Sequence, residues 1–210
     1  MPTDSSQEGL VLLGGGGHAL VVADAAAASR LGPAGFYDDD PHAPASRDLA
    51  HLGTLADAAA RAPSAWIIAI GDLEVRQEVI ETMRSNEQHA ASVIHPAAIV
   101  APSAVIGRGV FIGPGAIVNA RAEIGDHAIV NSGAVIEHEC VVGINAHIGP
   151  GATIGGGVHV GANTLVGIGS TILPGLRIGS ASVVGAGAAV IENVADRRRV
   201  VGTPARPMDR

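Results

Sequence analysis

The chain has 210 residues, of which 47% are apolar and only 2% aromatic, and its formal net charge is −7. This length permits one or two domains. The negative charge argues against nucleic acid as a partner, because no basic face is available to neutralise phosphates. No apolar run approaches the roughly 18 residues that a membrane-spanning helix needs, so we expect no membrane span.

The chain begins with polar and acidic residues, unlike the basic start of a secretory signal. Its single cysteine, Cys140, makes an intramolecular disulfide impossible and fits a reducing compartment. We therefore predict a cytoplasmic protein. Because Cys140 falls at an inward position of the repeat described below, we expect a packed thiol and not a nucleophile.

A glycine-rich turn opens the first part of the chain. An apolar run at 9–13 leads into the four glycines at 14–17, and the alanine-rich segment 19–29 then reads as a helix. The first and third of these glycines, with Ala19, match the dinucleotide-binding pattern G-x-G-x-x-G/A, whose backbone amides hold a phosphate at the start of a helix. The alternative is that the glycines only let helix and strand pack closely.

The rest of this region alternates between strand and helix patterns. A second strand is expected to end at Tyr37, a third to span 66–70, and a helix to span 73–85 with Val75 on its apolar side. Residues 41–48 have the composition of a flexible loop. With only about 80 residues, the region amounts to half of a doubly wound fold, which suits a mononucleotide better than a dinucleotide.

The sequence then repeats with a period of six. The recurring aliphatic residues are Ile94, Val100, Ile106, Ile112, Val118, Ile124, Val130, Ile136, Val142, Ile148, Ile154, Val160, Val166, Ile172, Ile178, Val184 and Val190. This period excludes an amphipathic helix and indicates a β-solenoid. Each unit is expected to form a short strand and a turn, with the aliphatic residue pointing inward. The glycine that often follows it is expected to adopt backbone angles that other residues resist.

Three units close a triangular coil, so residues eighteen positions apart stack at about 4.8 Å. His138 then points outward near a corner, with the small residues Ala120 and Gly156 in the neighbouring coils. Arg121 lies one coil below Glu139. Histidine is suited to take a proton from an amine or hydroxyl near neutral pH, and an adjacent carboxylate would orient it. The alternative is that Glu139 pairs only with Arg121 and that His138 is an ordinary surface histidine.

Over nearly its whole length the chain resembles the hexapeptide-repeat acyltransferases, in particular the branch that acetylates nucleotide-linked amino sugars, or sialic acid, in bacterial surface-glycan pathways. The matching stretches are residues 14–18, Asp38-Asp39, residues 68–72 with Arg76, residues 94–96, Asn131, residues 135–140, His147 and residues 201–205. The resemblance implies an α/β N-terminal half-Rossmann domain followed by an all-β left-handed parallel β-helix.

The same resemblance implies a division of labour. Residues 1–92 would form the βαβ domain that binds a nucleotide sugar, residues 93–194 the β-helix that binds acetyl-CoA and carries the catalytic residues, and residues 195–210 a C-terminal tail. Members of the family are trimers with acetyl-CoA between adjacent prisms, so we expect a homotrimer with sites at the subunit interfaces.

The resemblance also implies roles for individual residues. The catalytic residues would be His138, as base, and Glu139, as its partner. Acetyl-CoA is expected to contact His147, Gly156, Ile168 and Ala186. The sugar nucleotide is expected to contact Gly14, Gly16, Gly17, His18, Asp38, Asp39 and Asn131.

Several of these residues have simpler interpretations. Asn131 is also of the type that satisfies backbone groups in turns, and His18 is also placed to cap its helix. Asp38 and Asp39 could form an ordinary acidic turn. The remaining histidines of the repeat share no face that suggests a metal cage, so we predict no catalytic metal.

The resulting hypothesis is an acetyl-CoA-dependent N-acetyltransferase that acts on a UDP- or GDP-linked amino sugar. The same residues would serve O-acetylation of sialic acid or a related sugar. A third possibility is a non-catalytic scaffold that binds a nucleotide. The run Arg197, Arg198, Arg199 is expected to be a solvated loop, with contact to a phosphate-bearing cofactor as the alternative.

Overall fold

The computed structural model describes residues 9–208, in two compact units whose boundary in the sequence lies between Val93 and Ile94. Residues 1–8, on which the cytoplasmic prediction partly rests, lie outside the described part. None of the helices in the described part is both long and apolar enough to cross a membrane.

Within the described residues, the front unit combines a four-stranded parallel sheet with helices. Its elements are β1 Leu10–Leu13, α1 Gly17–Ala28, β2 Pro33–Tyr37, β3 His51–Gly53, α2 Leu55–Arg61, β4 Trp66–Ile68 and α3 Leu73–Thr82, with short 3-10 helices at Pro44–Arg47 and Arg84–His89. The strand order is β3-β2-β1-β4 and every pairing is parallel. The carboxyl ends of the strands therefore share one edge, and the order reverses direction beside β1, where sheets of this kind bind ligands.

The sheet forms because its strands are short apolar runs. β1 and β4 are buried along their whole length, as expected for strands covered on both faces. Trp66 is fully buried, and its ring N–H donates to the carbonyl of Asn86 at 3.1 Å.

The structure corrects three predictions for this unit. Residues 41–48 are not a loose loop, because Pro44–Arg47 forms a 3-10 helix around the buried Ala45. β3 and α2 were not predicted, since β3 has only three residues and α2 is mostly alanine. On α3, Val75 is 42% exposed, and Arg76 is fully buried instead.

The second unit is a stack of two-residue strands. They are β5 Val93–Ile94, β6 Ile99–Val100, β7 Val105–Ile106, β8 Phe111–Ile112, β9 Ile117–Val118, β10 Glu123–Ile124, β11 Ile129–Val130, β12 Val135–Ile136, β13 Val141–Val142, β14 His147–Ile148, β15 Thr153–Ile154, β16 His159–Val160, β17 Leu165–Val166, β18 Thr171–Ile172, β19 Arg177–Ile178, β20 Val183–Val184 and β21 Ala189–Val190. The second residue of each strand is the repeated Ile or Val.

Every third strand pairs in parallel, which produces three faces. We call them by size: the five-stranded face (β7, β10, β13, β16, β19), the six-stranded face (β6, β9, β12, β15, β18, β21) and the eight-stranded face, which contains β8, β11, β14, β17 and β20. Residues eighteen positions apart are in register, as Ile136 is with Val118 and Ile154. The predicted triangular coil is therefore observed.

The interior of the prism is a column of aliphatic and small side chains. From Ile112 to Val190 every repeated Ile or Val is buried, and Cys140, like the alanines at equivalent positions, is fully enclosed. The first member, Ile94, is 36% exposed. Burial of so many methyl groups, at about 25 cal/mol per Å², is the main stabilising contribution to this unit.

The glycines that follow the aliphatic residues have a different role from the one predicted. None of them has a positive φ. They are required because the next coil is close: a Cβ on Gly161 would lie 2.5 Å from the backbone nitrogen of Ser180. The left-handed backbone occurs two residues later, for example at Glu139 with φ of 58°.

Two strands follow the last hexapeptide unit. β22, Arg199–Val201, joins the eight-stranded face beside β20, and β23, Arg206–Pro207, pairs with β22 in antiparallel fashion. The period of six does not predict them, because the offset from Val183 to its partner Arg199 is not eighteen residues.

Candidate active site

His138 and Glu139 lie in the turn between β12 and β13, at the edge between the six- and five-stranded faces. The Nδ1 atom of His138 lies 3.3 Å from Oε2 of Glu139. Oε1 of the same carboxylate accepts a hydrogen bond from Nη1 of Arg121 at 3.4 Å. The side chains of Arg121, His138 and Glu139 are 77%, 62% and 56% exposed. The carboxylate therefore contacts both groups, and its pairing with Arg121 does not hold it away from the ring.

The backbone fixes this carboxylate. Glu139 adopts the left-handed conformation with φ of 58°, and its N–H donates to the carbonyl of Ala120 in the preceding coil at 3.0 Å. Arg121 occupies the equivalent position one coil earlier, also left-handed, with φ of 59°. The stacking of coils thus aligns the cation with the carboxylate.

Gly156 makes room for the imidazole. A Cβ on Gly156 would lie 2.6 Å from Nε2 of His138, so the ring occupies the space that a side chain would fill. The carbonyl of His138 accepts from Gly157 N–H at 2.9 Å. A side chain at position 156 would therefore collide with Nε2, the ring atom on the far side from the Glu139 contact.

Asn131 and His147 form a second pair. His147 lies on the outer side of β14, in register with Ile129 and Leu165, as predicted. Nδ2 of Asn131 lies 3.2 Å from Nε2 of His147, and Oδ1 of Asn131 accepts from Ser132 N–H at 2.8 Å. The Ser132 contact sets the orientation of the amide, so that the NH2 group of Asn131 faces Nε2 of His147.

Within one chain, the candidate residues occupy two different edges of the prism. His138, Glu139 and Gly156 lie at turns between the six- and five-stranded faces. Asn131, Ile168 and Ala186 lie at turns between the eight- and six-stranded faces, beside His147. A single chain therefore does not bring His138 together with the residues expected to bind acetyl-CoA, apart from Gly156.

The glycine turn of the front unit divides into two parts. Gly14 and Gly15 are buried: Gly14 N–H donates to the carbonyl of Tyr37 at 2.8 Å, and a Cβ on Gly15 would lie 2.5 Å from the ring of Phe36. Gly16 and Gly17 are exposed and border open space. Gly16 is the N-cap of α1, and no side chain caps this end. The packing interpretation therefore applies to Gly14 and Gly15, and phosphate binding stays a prediction for Gly16 and Gly17.

The two aspartates at the end of β2 already bind backbone groups. Asp38 accepts from Gly15 N–H at 2.7 Å and from Asp40 N–H at 2.9 Å. Asp39 accepts from the N–H of Leu55, the first residue of α2, at 3.2 Å. Asp38 thus fixes the glycine turn directly.

One feature of this edge was not predicted from sequence. Arg76 lies buried below the loop at 69–72, and its Nη1 donates to the carbonyl of Ile70 at 3.3 Å. Burial lowers the pKa of Arg76 to about 10, and the nearby Asp72 opposes this shift. Side chain and backbone of residues 69–70 lie where a Cβ on Gly14 would be, so this loop borders the glycine turn.

Cys140 is buried inside the prism, and its thiol donates to the carbonyl of Gly155 at 3.1 Å. Burial raises the pKa of this thiol above its usual value, which agrees with a packed and unreactive group. Across residues 9–208 no three His, Cys, Asp or Glu side chains are grouped so that they could hold a metal ion.

Comparison with known proteins identifies both units. Residues 9–83 match the family model described as the PglD N-terminal domain, and residues 103–138 match the bacterial transferase hexapeptide model of six repeats. Among solved structures, PerB from Caulobacter crescentus, in complex with CoA and GDP-perosamine, is 35% identical, with 97% of this chain and 99% of that chain covered and a TM-score of 0.90.

The chain belongs to the hexapeptide-repeat acyltransferases. It lies in the nucleotide-sugar N-acetyltransferase branch, so the predicted resemblance and fold class, including the left-handed β-helix, are confirmed. The protein is therefore an enzyme, and the interpretation as a non-catalytic scaffold is wrong.

Two further solved structures are similar to the chain. The acetyltransferase domain of PglB from Neisseria gonorrhoeae, in complex with acetyl coenzyme A, is 30% identical over 95% of this chain and 98% of that chain, with a TM-score of 0.89. WeeI from Acinetobacter baumannii has a TM-score of 0.83 at 23% identity, over 95% of this chain and 99% of that chain, which shows a common fold. A search of proteins with curated functions gives no significant match.

Proposed function

We propose that the protein transfers the acetyl group of acetyl-CoA to the amino group of a nucleotide-linked amino sugar, in the synthesis of a bacterial surface glycan. The observation that carries this proposal is the exposed imidazole of His138, which contacts the carboxylate of Glu139 through Nδ1 and has room at Nε2 because residue 156 is glycine. The similarity to PerB, crystallised with CoA and GDP-perosamine, supports the substrate class.

In the proposed reaction His138 acts as the general base. The amino group reacts as the neutral amine, after its ammonium form has lost one proton to water, and Nε2 removes a second proton from the nitrogen as its lone pair attacks the thioester carbonyl. A tetrahedral intermediate forms, the carbon–sulfur bond breaks, and the CoA thiolate receives a proton from the imidazolium. An amide and free CoA are the products, so charge and protons balance.

Glu139 and Arg121 serve the base. The carboxylate stabilises the imidazolium through Nδ1, and it holds the ring with Nε2 towards the substrate. The guanidinium of Arg121 restrains the other carboxylate oxygen. Because all three side chains are largely exposed in one chain, the electrostatic contribution becomes large only when substrate or a second subunit excludes water.

The front unit would bind the nucleotide. Gly16 and Gly17 present the uncapped start of α1 to open space, and backbone N–H groups at such a position attract phosphate. The carboxylate of Asp38 stabilises the conformation of this turn by accepting a hydrogen bond from Gly15 N–H. We assign His18 and Asp39 to the same site because they flank this turn and the neighbouring carboxyl end of β2.

We further propose a homotrimer. His138 and His147 lie at different edges of one prism, so a site that uses both needs two copies of the chain. Ile144 and Ile168, which are more than half exposed on turns of the β-helix, are available for contact between copies. We place the reaction in the cytoplasm, where the lone thiol of Cys140 stays reduced.

The test is release of free CoA thiol from acetyl-CoA in the presence of a panel of acceptors, with GDP-perosamine first and then UDP-linked amino sugars and sialic acid. We expect release only with a nucleotide-linked amino sugar, and mass spectrometry should show an added acetyl group on nitrogen. Acetylation of sialic acid alone would replace the proposal by O-acetylation. Absence of thiol release with every acceptor would overturn it.

A further inference from the structure

The front unit buries one charged side chain that has no part in the proposed reaction. Arg76 lies near the start of α3 and is fully enclosed by the protein. Burial lowers its pKa to about 10, so the guanidinium group is still charged at neutral pH. Since replacement of a buried charge by an apolar group is often neutral or stabilising, the stability of the fold gives little reason for an arginine at this position.

The guanidinium group of Arg76 holds the segment that follows β4. We call residues 69–72, between β4 and α3, the β4 loop. Side chains of a helix point back towards its N-terminus, and Nη1 of Arg76 donates to the carbonyl of Ile70 at 3.3 Å. The start of the loop is fixed to β1, because Ala69 N–H donates to the carbonyl of Leu13 at 2.7 Å. The loop is therefore attached to the sheet on one side and to Arg76 on the other.

The β4 loop packs directly against the glycine turn. A Cβ on Gly14 would collide with Cγ1 of Ile70 and would lie 3.2 Å from the carbonyl oxygen of Ala69. A Cβ on Gly71 would lie 3.9 Å from Cβ of His18, in the first turn of α1. A displacement of the loop would therefore also displace the glycine turn and His18.

The contribution of Arg76 to this edge of the sheet is positional and not electrostatic. Asp72, the N-cap of α3, lies close enough to oppose the effect of burial on the pKa of Arg76. An opposite charge this near reduces the field that the guanidinium group presents to a ligand. The carboxylate of Asp72 also accepts the N–H groups of Glu74 and Val75, at 2.9 and 3.0 Å. The start of α3 is thus occupied by a carboxylate, whereas the start of α1 has no side-chain cap.

We propose that Arg76 is a positioning residue for the nucleotide part of the substrate. Because it is fully buried, it acts through Ile70 and keeps the glycine turn and His18 in the arrangement that binds the nucleotide. This inference rests on the proposed function, since it takes the front unit as the nucleotide site. Loss of Arg76 should weaken nucleotide binding and leave acetyl-CoA binding and the chemical step unchanged.

The test compares two replacements of Arg76 with a matched control in the same unit. Arg76→Met keeps a long side chain but has no donor for the carbonyl of Ile70, and Arg76→Lys restores one donor. The control is Asn86→Ala, which removes another buried polar side chain, whose Nδ2 donates to the carbonyl of Pro63 at 2.9 Å. Pro63 precedes β4 and therefore lies at the edge of the sheet opposite the glycine turn. Thermal melting measures the stability of each variant.

Binding of GDP and UDP is measured by isothermal titration calorimetry, and KM is measured with an amino-sugar nucleotide that the enzyme acetylates. We expect Arg76→Met to weaken nucleotide binding and to raise the KM for the sugar nucleotide by about tenfold, since a hydrogen bond from a charged donor contributes about that much. The KM for acetyl-CoA and kcat should not change. Arg76→Lys should recover most of the affinity and remain a few fold weaker than wild type. Asn86→Ala should lower the melting temperature without changing nucleotide affinity.

Three results overturn the inference. The first is wild-type nucleotide affinity in folded Arg76→Met. The second is an equal loss of affinity in Asn86→Ala, which would mean that general destabilisation of the front unit is the cause. The third is a wild type that binds neither GDP nor UDP. If Arg76→Met fails to fold, Arg76→Lys takes its place, and unchanged affinity in that variant overturns the inference.

The two proposals fail separately. Calorimetry needs no acceptor sugar, so a nucleotide affinity that depends on Arg76 supports the inference even if no amino sugar is acetylated. Conversely, acetylation by Arg76→Met with an unchanged KM for the sugar nucleotide overturns the inference and leaves the proposed function intact.

Discussion

The β-helix and the front unit place their functional residues by different rules. In the β-helix, residues eighteen positions apart are spatial neighbours, so Arg121, Glu139 and Gly157 occupy one column and the partner of each is found by counting. In the front unit, Gly15 and Asp38 meet although they are 23 residues apart and belong to different elements. In a periodic fold the contacts between residues can therefore be predicted from their spacing in the sequence, whereas in an irregular fold they cannot.

The two regions also differ in how they use glycine. In the β-helix, glycine after the aliphatic residue lets coils approach each other, whereas Gly156 leaves space for the ring of His138. In the front unit, Gly15 accommodates a core phenylalanine and its neighbours Gly16 and Gly17 border open space. Replacement of individual glycines should therefore distinguish positions that affect stability from positions that affect catalysis.

The largest effect is expected for His138→Ala. Loss of the general base should lower kcat by about 10² to 10⁴-fold. CoA binding should be unchanged, because His147 and the other residues expected to hold CoA, apart from Gly156, lie at another edge of the prism. Steady-state kinetics and calorimetry measure both quantities. Turnover at the wild-type rate would show that the base lies elsewhere.

Gly156→Ala should cost activity without unfolding the protein. The new Cβ would lie 2.6 Å from Nε2 of His138, and this flexible side chain moves more easily than backbone. A ring displaced by about 1 Å lowers kcat by roughly 10²-fold, with little change in the melting temperature. An unchanged kcat would mean that catalysis does not require the His138 imidazole to lie beside residue 156 as it does in this structure.

Gly161→Ala should give the opposite result. Its Cβ would lie 2.5 Å from the backbone nitrogen of Ser180, which cannot move without separating two coils. We expect the free energy of unfolding to fall by about 1–3 kcal/mol, measured by chemical denaturation, and kcat of the folded fraction to remain close to wild type. Equal melting temperatures for the two glycine variants would contradict this distinction.

Asp38→Asn tests the front unit by itself. Asparagine has one acceptor oxygen, so it cannot bind both Gly15 N–H and Asp40 N–H as the carboxylate does. The glycine turn should loosen, which raises KM for the sugar nucleotide by about tenfold and leaves KM for acetyl-CoA unchanged.

The matched control is Asp126→Asn, because Asp126 accepts the N–H of Arg108 in a β-helix turn at 2.8 Å. It should change neither KM. A rise in the acetyl-CoA KM of the Asp38 variant would mean that the turn serves the donor.

The smallest effect concerns Cys140. Burial raises the pKa of this thiol in the folded protein, so the contribution of the thiol to stability is complete below its unfolded pKa of about 9 and is lost as the pH rises from there through the folded value. A thiol reagent at pH 8 should modify native protein only at the rate of unfolding, and denatured protein at once. Rapid labelling of native protein would mean that the prism opens at this coil.

Much of the β-helix was predictable from sequence. The inward aliphatic column, the register of His147 with Leu165 and the stacking of Arg121 below Glu139 all follow from the period of six. The role of the following glycines was predicted wrongly, because their need arises from the distance between coils and not from their own φ.

The front unit was less predictable. α2 begins with a capping box in which Thr54 and Asp57 bind each other's backbone N–H, but this signal was missed because the helix is short. Buried Arg76 was placed on no face, since a helix pattern gives no reason to bury a charge. The 3-10 helix over Pro44–Arg47 depends on the enclosure of Ala45 by other elements.

By itself the sequence determined the β-helix, its three faces and the neighbours of His138, because one repeated step propagates through every coil. Only the tertiary structure decided which oxygen of Glu139 contacts Arg121 and which contacts His138. It also decided that the ring of His138 lies where a side chain on residue 156 would be, and that the carboxylate of Asp38 accepts a hydrogen bond from Gly15 N–H. It also showed that Arg199 lies on the same column of outward residues as His147. These are contacts of side chains and of non-repeating segments, for which spacing along the chain carries no information about distance.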